Sequence, residues 1–365
     1  MLEPPQLDAM WKTNLKATLC EQCDSHYLLP PQLMPFTCPT CFQNQLIDIE
    51  VENQPTDLLH HYAPELLLPF TVAEETLHPK IEQFAGRIWF APGDLTPKTL
   101  ISRLHRLYLP MWLVDSQVEA LWQAEVGFNY EVVSHRDEFD QNSGGWSSQQ
   151  VTEQRIRWEQ RVGRLTRQYD NMMAPALEQH TSLMQRLGEY DLKAAEPFQP
   201  DALQQAIIHL PDRPPTDAWS DTVPAFHEAA AEECRQASQA DHLRNYRWSS
   251  EYRNQHWTLL MLPIYTTYYL DDQQQAHPIF IHGRTGRMSG TLKGSMKRAR
   301  KIALMIVAVA SVIFLMSLIL AAASYFMRPL LVLAAIGLLA ALVVGMLAIT
   351  PIIGVWHFNR SQTTD

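Results

Sequence analysis

Residues 302–327, IALMIVAVASVIFLMSLILAAASYFM, and 330–356, LLVLAAIGLLAALVVGMLAITPIIGVW, are separated only by Arg328 and Pro329. Each run exceeds the ~20 apolar residues that an α-helix needs to cross a bilayer core of about 30 Å, and neither holds an Asp, Glu, Lys or Arg. Two transmembrane helices are expected over 302–356. Proline cannot continue a helix, and a two-residue connection allows only an immediate reversal, so the pair reads as a helical hairpin. Both flanks then face one compartment. Arg284, Arg287, Lys293, Lys297, Arg298, Arg300 and Lys301 precede the first run with no Asp or Glu from Gly283 to Lys301. The excess of basic residues beside the first crossing predicts that this side is cytoplasmic, with both termini.

The rest of the charge is opposite in sign. Residues 283–365 carry nine Lys and Arg against Asp365 alone, whereas residues 1–282 carry 20 Lys and Arg against 38 Asp and Glu. An acidic head repels nucleic-acid phosphates and anionic headgroups, while the basic collar at 291–301 attracts anionic lipid. Lys293, Lys297, Arg298, Arg300 and Lys301 are therefore the membrane-surface candidates, beside their simpler reading as a topology signal. The opening MLEPPQLDAMW has neither a basic stretch nor an apolar one of signal-peptide type. With 46% hydrophobic residues and 24 prolines, the 301 residues before the first crossing are expected to fold into two or three small domains.

Four of the five cysteines form two CxxC pairs, Cys20-Glu21-Gln22-Cys23 and Cys38-Pro39-Thr40-Cys41, fourteen residues apart. Two such turns brought together offer four thiolates in the tetrahedral set that Zn²⁺ accepts, which predicts a zinc ribbon over residues 10–46 with one structural ion. Four thiolates leave no position for an activated water. The metal's work is then to fold a segment too short for its own core. Redox chemistry would need a thioredoxin-like strand and helix around one pair. From Trp11 to Gln45 the charged side chains are Lys12, Lys16, Glu21 and Asp24, which cancel, so the ribbon has no basic face for phosphates. A protein-binding knuckle or a cap on the neighbouring domain is the expected use.

Residues 47–290 read as an α+β body of antiparallel sheets and helices, followed by the 357–365 tail beyond the membrane. Leu66–Phe70, the segment through Trp89, Phe90, Ala91 and Pro92, and the amphipathic stretch around Leu95–Leu107 read as helices after a loop at Pro55. From Val118 to Val132 apolar residues alternate, as in a half-buried strand, with Gly127 a candidate bulge or turn. Asn142–Gly145 closes it as a loop. A second alternation, Ile156, Trp158, Val162, breaks at Gly163 and resumes through Leu165 and Tyr169. Arg155, Arg157, Arg161, Arg164 and Arg167 lie mostly on the opposite face and read as solvent-facing charges that protect a sheet edge.

Helices are expected over 175–190, 201–209 and 217–242, punctuated by Pro197, Pro200, Pro211, Pro214 and Pro215, with Cys234 as a packed thiol. Strands return at Trp257–Leu270 and Pro278–His282 around an Asp271-Asp272-Gln273 turn. Leu262-Pro263-Ile264-Tyr265 echoes Leu109-Pro110-Met111-Trp112, which hints at two related sheet units.

The double CxxC, Pro69-Phe70, Tyr108-Leu109-Pro110-Met111-Trp112, Tyr169-Asp170-Asn171, Glu196-Pro197-Phe198, Leu262-Pro263 and the Gly-x-Thr-Gly turn together resemble a family of bacterial membrane-anchored, TFIIB-type zinc-ribbon proteins. Members are sometimes labelled primosomal protein N-prime-like. The family turn usually reads Asn-Gly-Gln-Thr-Gly-Lys, against His282-Gly283-Arg284-Thr285-Gly286-Arg287 here. The resemblance implies location at the bacterial inner membrane and no established catalysis. Some similar proteins are encoded beside phage-shock-protein-A-like and SPFH membrane proteins, which implies an envelope-stress or membrane-organising assembly.

Catalytic signatures are incomplete. Gly283–Gly290 and Gly294-Ser295 lack the lysine of a phosphate-binding loop. His227-Glu228 has Ala231 where a metalloprotease needs its second His, and His135-Arg136-Asp137 lacks the other kinase elements. His60-His61 sits in a Leu-rich segment where neighbouring side chains point apart, and reads as a surface or half-buried pair. The expectation is a non-enzymatic adaptor or scaffold with a protein partner, with nucleic-acid tethering to the membrane as the alternative and an uncharacterised enzyme as a third reading.

Overall fold

The computed structural model describes residues 15–33, 36–49, 63–140, 145–199 and 206–362. Pro55, His60-His61, Asn142–Gly144, Pro200, the first part of the 201–209 segment, the start of the ribbon at 10–14 and the end of the tail at 363–365 lie outside them, as do the side chains of Arg136 and Asp137. Strands are β1 Lys16–Cys20, β2 Ser25–Leu29, β3 Ile47–Asp48, β4 Leu66–Leu67, β5 His105–Asp140, β6 Gly145–Ala174, β7 Glu196–Pro197, β8 Ile207–His209, β9 His242–Leu270, β10 Ala276–His282 and β11 Met288–Gly290. Helices are α1 Glu74–Ala85, α2 Pro97–Ser102, α3 His180–Leu187, α4 Pro215–Ala237, α5 Met296–Ala323, α6 Leu330–Leu347 and α7 Thr350–Ser361.

The chain divides into two compact units. The first comprises residues 1–110, 181–210 and 261–365, the second residues 111–180 and 211–260.

In the first unit the strand order is β11-β10-β9-β5-β8-β2-β1-β3, with β4 on β9 and β7 on β4. β8 runs antiparallel to β2 and parallel to β5, so the ribbon hairpin is hydrogen-bonded into the main sheet. The core beneath it joins Leu77, Ile81 and Phe84 of α1 and Leu100 of α2 to Tyr265 and Tyr269 of β9 and Ile279 and Ile281 of β10. α1 lies outside every helix expected from the sequence: its buried Leu77, Ile81, Phe84 and Ala85 keep helical spacing, but Pro79 within it argues locally against a helix. Conversely, helix is confined to Pro97–Ser102 in the 95–107 stretch, Leu66–Leu67 is strand, and Trp89–Pro92 is irregular. The 201–209 segment ends in a strand rather than a helix, since Ile207 and Ile208 are buried between two neighbouring strands.

The second unit is built on β5, β6 and β9, whose strands begin well before the alternating stretches. β5 and β6 form a hairpin in continuous register from Ser116↔Tyr169 to Asp140↔Gly145. Gly163 does not break β6, and Gly127 marks neither bulge nor turn. The irregularity falls between Val114 and Ser116, opposite Asn171. Asn171 has φ 58°, and its N–H donates to the Asp115 carboxylate at 2.7 Å. Asn tolerates this left-handed conformation better than most residues, so Tyr169-Asp170-Asn171 is the bulge that sets the register.

The two glycines serve as seats for tryptophans. Gly127 faces Trp158 and Gly163 faces Trp122 across the hairpin, and a Cβ on Gly163 would lie 2.8 Å from the Trp122 ring. Gly163→Val should displace Trp122 and cost about 1–3 kcal/mol, measured as a lower denaturant midpoint with altered tryptophan emission.

One face of this sheet packs on α4, where Val118, Ala120 and Tyr169 bury Phe226 and Ala230. Cys234, on the same helix, is buried with its Sγ 3.8 Å from the Tyr246 hydroxyl. α4 ends at Ala237 rather than 242, and helix α3 covers only 180–187 of the expected 175–190. The shortfall has a local cause: the Ala176 carbonyl accepts the Asp212 and Arg213 N–H groups, which holds 175–179 as a turn.

The C-terminal helices α5 and α6–α7 are long and apolar enough to cross a membrane. They pack against each other through small residues. Ala310, Ser317, Ala334 and Ala341 are buried, Gly337 faces the Ser317 side chain, and a Cβ on Gly345 would sit 3.9 Å from that of Ala310. Apolar residues such as Leu315, Ile319 and Leu339 point outward, the arrangement expected where lipid replaces water. The connection is longer than Arg328-Pro329, because α5 stops at Ala323 and residues 324–329 form the turn. The second segment is two helices, with Pro351 in the first turn of α7.

An Ala310→Cys, Gly345→Cys pair should therefore cross-link on mild oxidation. Adding Gly337→Leu, which drives a branched side chain into Ser317, should reduce that cross-link several-fold.

Candidate metal centre and membrane-facing elements

β1 and β2 bring the first CxxC turn to their connection, where Cys20↔Ser25 closes the pairing. The second turn follows Phe36 and is held by Cys38 N–H to Asn44 O at 2.9 Å and Phe42 N–H to Cys38 O at 3.0 Å. Both turns end alike, since Asp24 and Phe42, each directly after the second cysteine of its pair, have φ 51° and 54°. Asp adopts this region readily. Phe42 does not, and its compensation is packing: the ring is buried and stacks on Tyr268 with centroids 4.6 Å apart. Together with Thr266 Oγ1 donating to Pro39 O at 3.2 Å, this fixes the second turn on β9.

The four sulfurs lie within 4.8 Å of one another, with Cys20–Cys41 and Cys23–Cys38 both at 3.6 Å. A tetrahedral ion with bonds near 2.3 Å sets sulfurs ~3.8 Å apart. The geometry thus fits one structural metal ion such as zinc, held by all four cysteines named from the sequence. Burial pushes the Cys20 and Cys38 thiols up, more strongly for Cys38. At Cys41 burial also acts upward, but the Gln43 and Asn44 N–H groups and the neighbouring thiols outweigh it and bring the pKa down.

Cysteine spacing does not reveal the residues around the metal set. Tyr27 is fully buried, donates to Thr40 Oγ1 at 2.6 Å, lies 3.5 Å from Cys38 Sγ, and stands edge-on to His209. Tyr27, Leu28 and Leu29 form a consecutive buried run, so no periodicity in the sequence singles Tyr27 out.

The Gly283–Gly286 turn is held by His282. Its Nδ1 accepts the Arg284 and Thr285 N–H groups at 3.1 and 3.3 Å, the role an Asn side-chain oxygen plays in an Asx turn. Tyr190 stacks on the imidazole at 3.8 Å and donates to Pro263 O. Gly283 is required by close approach, because a Cβ there would meet Pro263 O at 2.6 Å, and Gly286 by its φ of 67°.

The basic residues flank the start of α5. Lys297, Arg298, Arg300 and Lys301 are exposed, whereas Lys293 is half-buried with its Nζ 3.6 Å from the buried Asp271. Asp271 also meets His277 at 3.1 Å. Asp272 binds Ser295 Oγ and the Lys297 N–H, capping the helix from the β9–β10 turn. Gly294 and Asn359 exchange two hydrogen bonds, which ties the ends of α5 and α7 together.

Four of the five β6 arginines are spent on acidic neighbours: Arg155 on Glu153, Arg157 and Arg161 on Glu159, and Arg167 on Glu233 of α4. The sheet face away from α4 presents Leu121, Val133, Ile156 and Val162, all exposed. Comparison with protein-family models, curated proteins and solved structures finds no match to this chain.

Proposed function

We propose that the protein is a cytosol-facing adaptor at the bacterial inner membrane, anchored by its helical hairpin and stapled by one zinc ion, that holds a protein partner. One observation carries this reading: the second unit leaves four aliphatic side chains on a single sheet face, with Val162 80% exposed and Leu121 59% exposed. Leu121 and Val162 are diagonal neighbours across the β5–β6 ladder, with Ile156 and Val133 further along the same face, and an exposed aliphatic pair of this kind supports a binding face there. The ribbon supports the same reading in a different way. Its four cysteines are all consumed by the metal, and its second turn is packed on β9, so the ion serves folding.

The resemblance to membrane-anchored zinc-ribbon proteins adds the class of partner, a phage-shock-type or SPFH membrane protein. Affinity purification in mild detergent should recover such a partner in stoichiometric amount, and Leu121→Lys with Val162→Glu should lose it while the thermal transition stays in place. Recovery of a monomer alone after cross-linking would end the adaptor reading.

A further inference from the structure

Trp89 is 95% exposed, which is unusual for the largest apolar side chain, and it stands in the loop after α1. The loop is not remote from the crossing helices. The Phe90 carbonyl accepts the N–H of Ser295, the residue that caps α5, at 2.6 Å. Three residues further on, a Cβ on Gly93 would lie 3.8 Å from the Arg298 guanidinium. Gly294 and Asn359 are bonded at the same level, so the head-side ends of both crossing segments meet here.

The apolar run begins at Ile302, about 9 Å along the helix axis from Met296 at 1.5 Å per residue. The headgroup layer on each side of a bilayer is roughly 5–8 Å thick, so an indole on this loop is within reach of it. Lys297, Arg298, Arg300 and Lys301 surround the same level, with Arg87 two residues before Trp89. The acidic groups nearby are engaged: Asp94 by Arg103 and the Leu270 N–H, Asp272 by Ser295 and Lys297.

We propose that the Gly86–Gly93 loop is a membrane-interface anchor, in which Trp89 inserts among the headgroups while the surrounding basic side chains bind anionic lipid phosphates. Tryptophan suits this depth because its ring is apolar and its N–H can bond to water or headgroup oxygen. The anchor holds the first unit against the bilayer at a second point beside the helices. It rests on the reading that the hairpin crosses a membrane, and the test separates the two.

Full-length protein labelled with 5-fluorotryptophan is placed in nanodiscs of phosphatidylethanolamine and phosphatidylglycerol, with Trp89→Phe and Trp356→Phe assigning two ¹⁹F resonances. Trp356, exposed near the end of the second apolar run, reports the crossing itself. A gadolinium chelate on a lipid headgroup should broaden both signals several-fold more than the same chelate free in solution. Broadening of Trp356 alone overturns the anchor and leaves the crossing standing. Broadening of neither by the lipid-borne chelate overturns the crossing and the anchor with it. A Trp89 signal shielded from both reagents means that protein covers the loop, and also overturns the proposal.

Discussion

Cys38→Ser should reduce bound metal from about one equivalent to near zero and unfold the ribbon, residues 15–48, while the C-terminal hairpin still inserts. The expected effect is large because metal binding to a four-thiolate site supplies roughly 10–16 kcal/mol at neutral pH, and that energy is folding energy for a segment with so little core of its own. Removal of one ligand also leaves Cys23, its partner at 3.6 Å, without a shared ion. Metal analysis by plasma mass spectrometry gives the stoichiometry, and hydrogen exchange gives the extent of unfolding. Protection should be lost across β1 and β2 and weakened at β8, which pairs with β2. Intact protein holding less than about half an equivalent of metal would rule out a constitutive structural ion, since a site this tight fills at trace concentrations.

Acid should destabilise the head between pH 6.5 and about 4 through two buried histidines. Burial lowers His180 and His209 from 6.5 to about 4. Both are therefore neutral in the folded protein where the unfolded chain would already bind a proton. Their contribution to stability is full above pH 6.5, falls as pH drops below it, and is exhausted near pH 4. At about 1.4 kcal/mol per unit, each costs roughly 3 kcal/mol over that window. Protonation of the thiolates also releases metal in acid, so His180, in the second unit, is the cleaner probe. Among the described residues, neither of its ring nitrogens has a hydrogen-bond partner. His180→Leu should be neutral or stabilising at pH 7 and should flatten the acid limb of the melting curve. An acid limb as steep as in the unsubstituted protein would refute the assignment.

The metal centre was the most legible part of the molecule, because tetrahedral thiolate coordination demands two close pairs and leaves a spacing that short-range inspection finds. Its supports were not legible. Tyr27 reaches Cys38 and Thr40 from another strand, and Phe42 is held in a left-handed conformation by Tyr268, more than two hundred residues away. The long strands were read too short for a similar reason. β9 begins at His242, where exposed residues alternate with Tyr246, Trp248 and Tyr252, whose packing against α4 comes from a segment distant in the sequence, and ion pairs such as Arg244–Glu125 add to it. Gly163 looked like a break because nothing local reveals that Trp122 fills the space above it.

Composition and order of residues alone determined the apolar hairpin, the basic collar and the thiolate set, since each follows from a transfer free energy, a charge or a ligand number that belongs to the residues themselves. Tertiary structure alone decided where the ribbon joins the sheet, which glycines seat tryptophans, and that Trp89 stands beside the helix entry. Those outcomes depend on pairings between distant segments, whose free energy exists only once the chain has closed the loops between them.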